Sequence, residues 1–202
     1  MSIQSEDVEV QVQPPAPPPT RRLPRAERRD QILAAATRAF ARSGFAATGL
    51  DDIAAEAGIS RVILYRHFDS KTDLYRAVLD HACLRLAAAV GGDEFTASSL
   101  DALLDAAGGD PDGFRLLFHH AAREPEFRAE VDRLRADSVD IARRHFTELI
   151  PDRAWAEWAT QLAPTVAIDA IIAWLDAGQP DRDRAAERIL QVLAAITDAA
   201  LR

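Results

Sequence analysis

Tyr65, Arg66, His67 and Lys71 place a phenol, a guanidinium, an imidazole and an ammonium within seven residues. All four can donate hydrogen bonds, so the chemistry they share is anion binding, with phosphate oxygens as natural acceptors. Arg61 lies one turn upstream and, like Arg66, could fork to a guanine edge or meet a phosphate. Between these donors stand Val62 and Ile63, whose side chains cannot hydrogen-bond. Thr48 and Gly49 precede the group, at the start of a helix whose first amides suit an anion.

The residues that must position these groups run from 48 to 71. Leu50, Ile53, Ala54 and Ala57 recur at helical spacing. Gly58 can end that helix in the left-handed conformation, and Ser60 is expected to cap the next one with its hydroxyl. In that second helix Leu64 and Phe68 share one narrow arc, the buried side. Val62, Ile63, Tyr65 and Arg66 occupy the opposite arc. An outward face of that composition suits a covering partner, and a DNA major groove admits one α-helix. Two short helices crossing at a tight turn form a helix-turn-helix.

From Arg28 to Val78 the chain resembles the TetR (tetracycline-repressor-like) family of bacterial transcriptional regulators. The resemblance rests on Ile32-Leu33-Ala34-Ala35-Ala36, Phe40, Gly44-Phe45, Asp52-Ile53-Ala54, Ala57-Gly58-Ile59-Ser60, Leu64-Tyr65-Arg66-His67-Phe68, Ser70-Lys71 and Leu74. It implies DNA backbone contacts at Tyr65, His67 and Lys71. The chain departs from the family pattern at Gly49, where Thr or Ser is common, and at Val62-Ile63, where Gly-Thr is common. These departures fall at the family's usual first-turn contacts with DNA.

Charge distribution agrees with a nucleic-acid partner although the total does not. The 202 residues carry a formal charge of −8. Residues 21 to 76, however, hold eleven Arg/Lys against seven Asp/Glu, and residues 77 to 202 hold thirteen against twenty-two. A basic module joined to an acidic body steers its basic end toward phosphate. One cysteine, Cys83, excludes an internal disulfide and fits a reducing cytoplasm. No apolar run approaches the ~20 residues that span a membrane, and no signal-peptide pattern opens the chain.

Residues 1–24, with their proline run at 14–19, read as a disordered acidic tail closed by Arg21 and Arg22. Arg21, Arg22 and Arg25 form either an arm for DNA or a solvated linker. A helix from 26 to 43 precedes the motif, and a helix from 71 to 90 with two apolar stripes follows it, joining head to body. The body is expected to be all-α, with helices near 97–107, 110–123, 124–150, 151–177 (kinked at Pro164) and 183–201. Residues 25–70 would bind DNA and residues 71–202 would sense and dimerise.

Ser138 and His145 interrupt the apolar seam Phe127, Val131, Leu134, Ile141 and Leu149. Buried polar groups need partners, so they either bond internally or furnish a ligand pocket. The family places its effector cavity in this region, which implies a lining drawn from Cys83, Phe114, Phe118, His119, Ser138, Ile141, His145 and Trp174. His119 and His120 point about 100° apart on a helix, so they are not read as metal ligands, and no metal or cofactor is expected. The family also pairs its last two helices with a twin's. That implies a dimer interface containing Trp158, Leu162, Ile168, Ile172, Leu175, Ile189, Leu193 and Ile196.

No catalytic constellation stands out, and no enzyme activity is expected. The reading is a cytoplasmic, homodimeric regulator of double-stranded DNA with a pseudo-palindromic operator, a repressor released by a small-molecule effector. A helical-bundle enzyme or a non-DNA interaction module is the alternative, and steep salt-dependent retention on heparin distinguishes the first from both.

Overall fold

A computed structural model describes residues 23–91 and 97–202 of the chain. The proline run, Arg21 and Arg22 lie outside the described residues. Helix α1 (Arg25–Ala47) buries Ile32, Leu33, Ala36, Ala39 and Phe40, and it breaks at Gly44, whose φ of 75° suits glycine. Helix α2 (Leu50–Glu56) opens at Gly49 and helix α3 (Arg61–Tyr65) follows a tight turn. In that turn the Ile59 amide donates to the Ala54 carbonyl and the Gly58 amide to that of Ala55. This paired closure needs the left-handed Gly58, at φ 63°. Ser60 departs from expectation: its hydroxyl makes no capping bond, and its carbonyl takes the amides of Ile63 and Leu64.

Helix α4 (Lys71–Val90) is capped by the Ser70 hydroxyl, which accepts from the Asp73 amide. Its first half packs Leu74, Tyr75, Val78, Leu79 and Ala82 into the same core as α1–α3. That core does not stop at residue 70. It takes in Leu116, Leu117 and Phe127 from the body. Tyr75 sits at its centre, 4.8 Å from the Phe40 ring, 4.9 Å from Phe45 and 4.4 Å from Phe127.

The body continues through α5 (Ala97–Gly109) and α6 (Pro111–Arg115), which is capped by Asp110 on the Gly113 amide. The expected single helix to Arg123 is corrected here. A wide π turn occupies Leu116–His120, with the Ala121 amide reaching back to the Leu116 carbonyl, and 3₁₀ turns cover Ala121–Arg123 and Pro125–Phe127. The extra residue in the wide turn lets Leu116 and Leu117 both face the head while Phe114 joins the body core.

Helices α7 (Arg128–Leu149), α8 (Arg153–Asp176) and α9 (Arg182–Ala200) pack together. The α7 seam also differs from expectation, because Ala142, Phe146 and Ile150 are buried while Leu149 and His145 are exposed. Pro164 lies inside α8 without ending it. Contrary to the hydropathy expectation, α8 is long and apolar enough to cross a membrane. In this fold it is the central helix of a bundle, with Ala159, Ala163, Ala167, Ile171 and Leu175 buried against its neighbours.

Candidate DNA interface and effector cavity

The helix-turn-helix presents α3 outward. Val62 is 63% exposed, Tyr65 and Arg66 are exposed, and Ile63 is half-buried at the edge. Leu64 and Phe68 anchor the opposite side in the head core. Arg61, in the first turn, donates from Nη1 to the Asp51 carboxylate at 2.9 Å and from Nη2 to the Tyr65 hydroxyl at 3.1 Å. Its guanidinium also lies 5.4 Å from the Tyr65 ring centroid. Arg66 stands exposed, and His67 is half-buried with its carbonyl toward Arg29. Burial, and then the positive charges of Arg25, Arg29 and Arg28, hold the His67 imidazole below the ordinary histidine range.

Three expected phosphate groups are otherwise engaged. The Thr48 side chain is buried, and its hydroxyl donates to the carbonyls of Gly44 (2.7 Å) and Ala39 (3.2 Å). The Gly49 amide donates to Asp52 Oδ2 at 2.9 Å. Lys71 places Nζ 2.8 Å from the Phe45 carbonyl, 3.2 Å from that of Thr48 and 3.4 Å from that of Ala46. An ammonium has three N–H donors, and these carbonyls use them. Lys71 therefore clamps α4 to the α1–α2 joint, over the Phe45 ring at 4.5 Å. Arg38 and Arg42 likewise turn to Glu56, whose carboxyl they hold below the usual range.

In the body, a cavity of about 1000 Å³ opens between α4, α7, α8 and α9. Cys83, Phe118, Ser138, Ile141 and His145 line it, as does Ile168, which had been expected in a dimer interface. Phe114, His119 and Trp174 do not. Phe114 borders a separate recess of about 100 Å³ beside α4. His119 is exposed with Nε2 2.9 Å from Arg123, and Trp174 donates to the Pro180 carbonyl at 2.8 Å. Ser138 bonds to its own helix at the Leu134 carbonyl, and burial, followed by Asp80, raises the Cys83 thiol pKa.

Sequence reasoning missed the cavity's polar side. Asp137, Asp140 and Arg144 line it from α7, with Thr197 and Asp198 on α9. Their i, i+3, i+7 spacing on α7 was the available signal, since it runs alongside the apolar seam. Apart from Ser99, Ser138 and His145, the rest of the lining is mostly apolar, with Leu86, Leu103, Leu134, Leu190 and Leu193 prominent.

The expected interface residues divide. Ile172, Leu175, Ile189, Leu193 and Ile196 are buried in the chain's own core, because α8 and α9 use them to pack on each other and on α7. Trp158 stays outside, 39% exposed, and Leu162 is half-buried. Beside Trp158 stands Trp155, 51% exposed, with the two rings 5.7 Å apart and edge to face. Val192 is the exposed large apolar residue of α9.

A three-helix head with an outward recognition helix, joined by one long helix to a hollow helical body, is the architecture of a helix-turn-helix DNA-binding protein. Residues 32–78 match the family described as "Bacterial regulatory proteins, tetR family". The chain is 33% identical over 184 residues to the HTH-type transcriptional activator FasR of Mycolicibacterium smegmatis, covering 84% of this chain and 83% of that protein. A TetR-like transcriptional regulator from Rhodococcus sp. RHA1 superposes with a TM-score of 0.74 at 24% identity, covering 87% of this chain and 96% of the other. FadR from Bacillus subtilis in complex with stearoyl-CoA superposes at 0.62 with 18% identity, covering 81% and 96%. The chain belongs to the TetR family and is a DNA-binding transcriptional regulator.

Proposed function

We propose that this chain is a cytoplasmic, non-enzymatic, homodimeric regulator that a small amphipathic molecule releases from a pseudo-palindromic operator. The observation that carries this reading is the cavity of about 1000 Å³ beside α4. Its apolar walls and one polar side suit a ligand with an extended apolar portion and a polar head. The likeness to FadR, which holds stearoyl-CoA, supports an acyl thioester as the first class to try.

Phe118 links cavity and head. It lines the cavity while its neighbours Leu116 and Leu117 pack into the head core. A ligand that displaces Phe118 would therefore act on the wide turn and, through it, on α1 and α4. Two heads set at the wrong spacing cannot occupy half-sites one DNA turn apart, ~34 Å. Ligand and DNA would then bind to different populations of the same dimer.

The likeness, over most of both chains, to a protein named an activator supports a second reading, in which ligand changes transcription in the opposite direction. Both readings share the dimer, built on Trp155, Trp158 and Val192 instead of Leu193. Sedimentation of the wild type should give a dimer at micromolar concentration and Trp155→Glu a monomer. Titration with acyl-CoA thioesters of increasing chain length should raise the melting temperature and weaken binding to a selected operator. A monomeric wild type would defeat the paired-head mechanism. Thioesters that leave both melting and DNA binding unchanged would defeat the effector class.

A further inference from the structure

We infer that Asp51 is a specificity-positioning residue, which holds Arg61 as a preset fork for a guanine and keeps it off the phosphate backbone. The inference rests on the chain's DNA binding and goes beyond it by assigning one base contact and the residue that enforces it.

Arg61 begins the recognition helix, the part that meets base edges in this motif. An arginine there can serve phosphate or base, and the structure distinguishes the two. Asp51 Oδ2 accepts from Nη1 at 2.9 Å, and the Tyr65 hydroxyl accepts from Nη2 at 3.1 Å. Two partners on different helices thus fix the plane of the guanidinium from both ends. Two of its five N–H donors are used and three remain. Guanine offers N7 and O6 side by side, a pair that such a fork matches.

The charges agree. Asp51 is mostly exposed on the first turn of α2 and brings a negative charge to the face that meets DNA. Alone, it would repel phosphate. Paired with Arg61, it cancels most of that arginine's attraction for the backbone and leaves its directional hydrogen bonds intact. Such a pair contributes little to general affinity and much to the choice of base. Arg66, exposed at the C-terminal cap of that helix, remains available for phosphate.

The test selects randomised duplexes with the full-length wild type, Asp51→Ala, Asp51→Asn, Arg61→Ala and the Asp51→Ala/Arg61→Ala double variant. The wild type should prefer one G·C pair in each half-site, and Arg61→Ala should lose that preference, about tenfold or more. Asp51→Ala should lose most of it too, while its binding to unrelated DNA stays equal or tightens. Asp51→Asn keeps an acceptor oxygen in place without the charge, so it should retain most of the preference. The double variant should be no worse than Arg61→Ala, because both act through one contact. The inference is overturned if Asp51→Ala keeps the guanine preference, or if Arg61→Ala weakens all sequences equally. Binding to unrelated duplex by the same preparations reports on DNA binding itself, so the two failures are separable. Equal melting temperatures show that the variants fold.

Discussion

The head and the body are both helical, yet they are filled with different materials. The head core is built on rings: Phe40, Phe45, Tyr75 and Phe127 meet at centroid distances of 4.4 to 6.1 Å. The body core sets more alanines between its large apolar residues, among them Ala142, Ala156, Ala159, Ala163, Ala167, Ala186 and Ala200. Rings fill space and fix one arrangement of their helices. Alanines let helix backbones approach but cannot fill the angle where those helices diverge, and there the chain keeps its cavity. A reader of DNA needs a stiff head, and a sensor needs room. Phe127 and the wide turn at Leu116–His120 join the two.

The largest expected effect is at that join. Phe127 is fully buried, 4.4 Å from Tyr75 and 5.0 Å from Phe45, and the Arg76 guanidinium lies 5.7 Å from its ring centroid. Phe127→Ala should cost about 3–5 kcal/mol by urea unfolding, the usual range for a buried ring. It should also reduce the effect of ligand on DNA binding more than it reduces ligand binding. A cost below about 1 kcal/mol would show that ring packing is not what stiffens the head.

Next comes a paired comparison of the same substitution in the two cores. Ala36 is fully buried in the head, and Ala167 borders the body cavity. Ala36→Leu should overpack and destabilise by about 1–3 kcal/mol. Ala167→Leu has space to enter, so its melting temperature should hold or rise while ligand affinity falls. Equal destabilisation by both would mean that the body is packed as tightly as the head.

The same contrast explains what was legible in the sequence. In the head, position alone carried the reading: Gly58 must turn, Leu64 and Phe68 must face in, and Val62 and Tyr65 must face out. Charge type does not tell how a donor is used in the free chain. Lys71 and Thr48 looked like phosphate donors, but whether a donor is already used depends on carbonyls more than twenty residues away for Lys71 and four to nine residues away for Thr48. In the body, helix limits were legible to within a few residues, but partners were not. Apolar residues recur on more than one face of α8, so periodicity cannot tell its own bundle from a twin's. Leu193 and Ile196, on α9, were assigned outward because the resemblance pairs the last two helices with a twin's, and Trp155 was not placed in the interface. The wide turn leaves no periodic signal at all, because it adds a residue to an otherwise helical stretch.

Within the head, Val62 and Ile63 test whether the outward face reads bases without hydrogen bonds. Both are apolar, and a thymine methyl is the base feature they can meet. Val62→Ala should cost about 1 kcal/mol on a selected site, and Ile63→Ala less, since Ile63 is already half-buried by the protein. Affinity for unrelated DNA and its salt slope should stay unchanged, because no phosphate contact is lost. Replacing the contacted thymine with uracil should mimic Val62→Ala and not add to it. Tolerance of uracil throughout the half-site would remove base reading from these residues.

The smallest effect separates a phosphate contact at His67 from simple packing. In the free chain, burial and the nearby Arg25, Arg29 and Arg28 hold its pKa below the ordinary histidine range. A phosphate within hydrogen-bond reach favours the imidazolium and raises that pKa in the complex. Binding then takes up a proton between the two values. Affinity should rise as pH falls through the bound pKa and level off below the free one, by less than about tenfold if the two differ by under one unit. Folding stability moves in the opposite direction. A histidine whose folded pKa is depressed contributes fully above its unfolded pKa and loses that contribution as pH falls. DNA binding must therefore be measured well below the melting temperature at each pH. His67→Gln keeps a donor but cannot titrate, so it should flatten the profile. The body cavity, distant from this group, should bind its ligand with the same pH dependence in both proteins. If wild type and His67→Gln trace the same DNA-binding profile, His67 is a packing residue and supplies no phosphate contact.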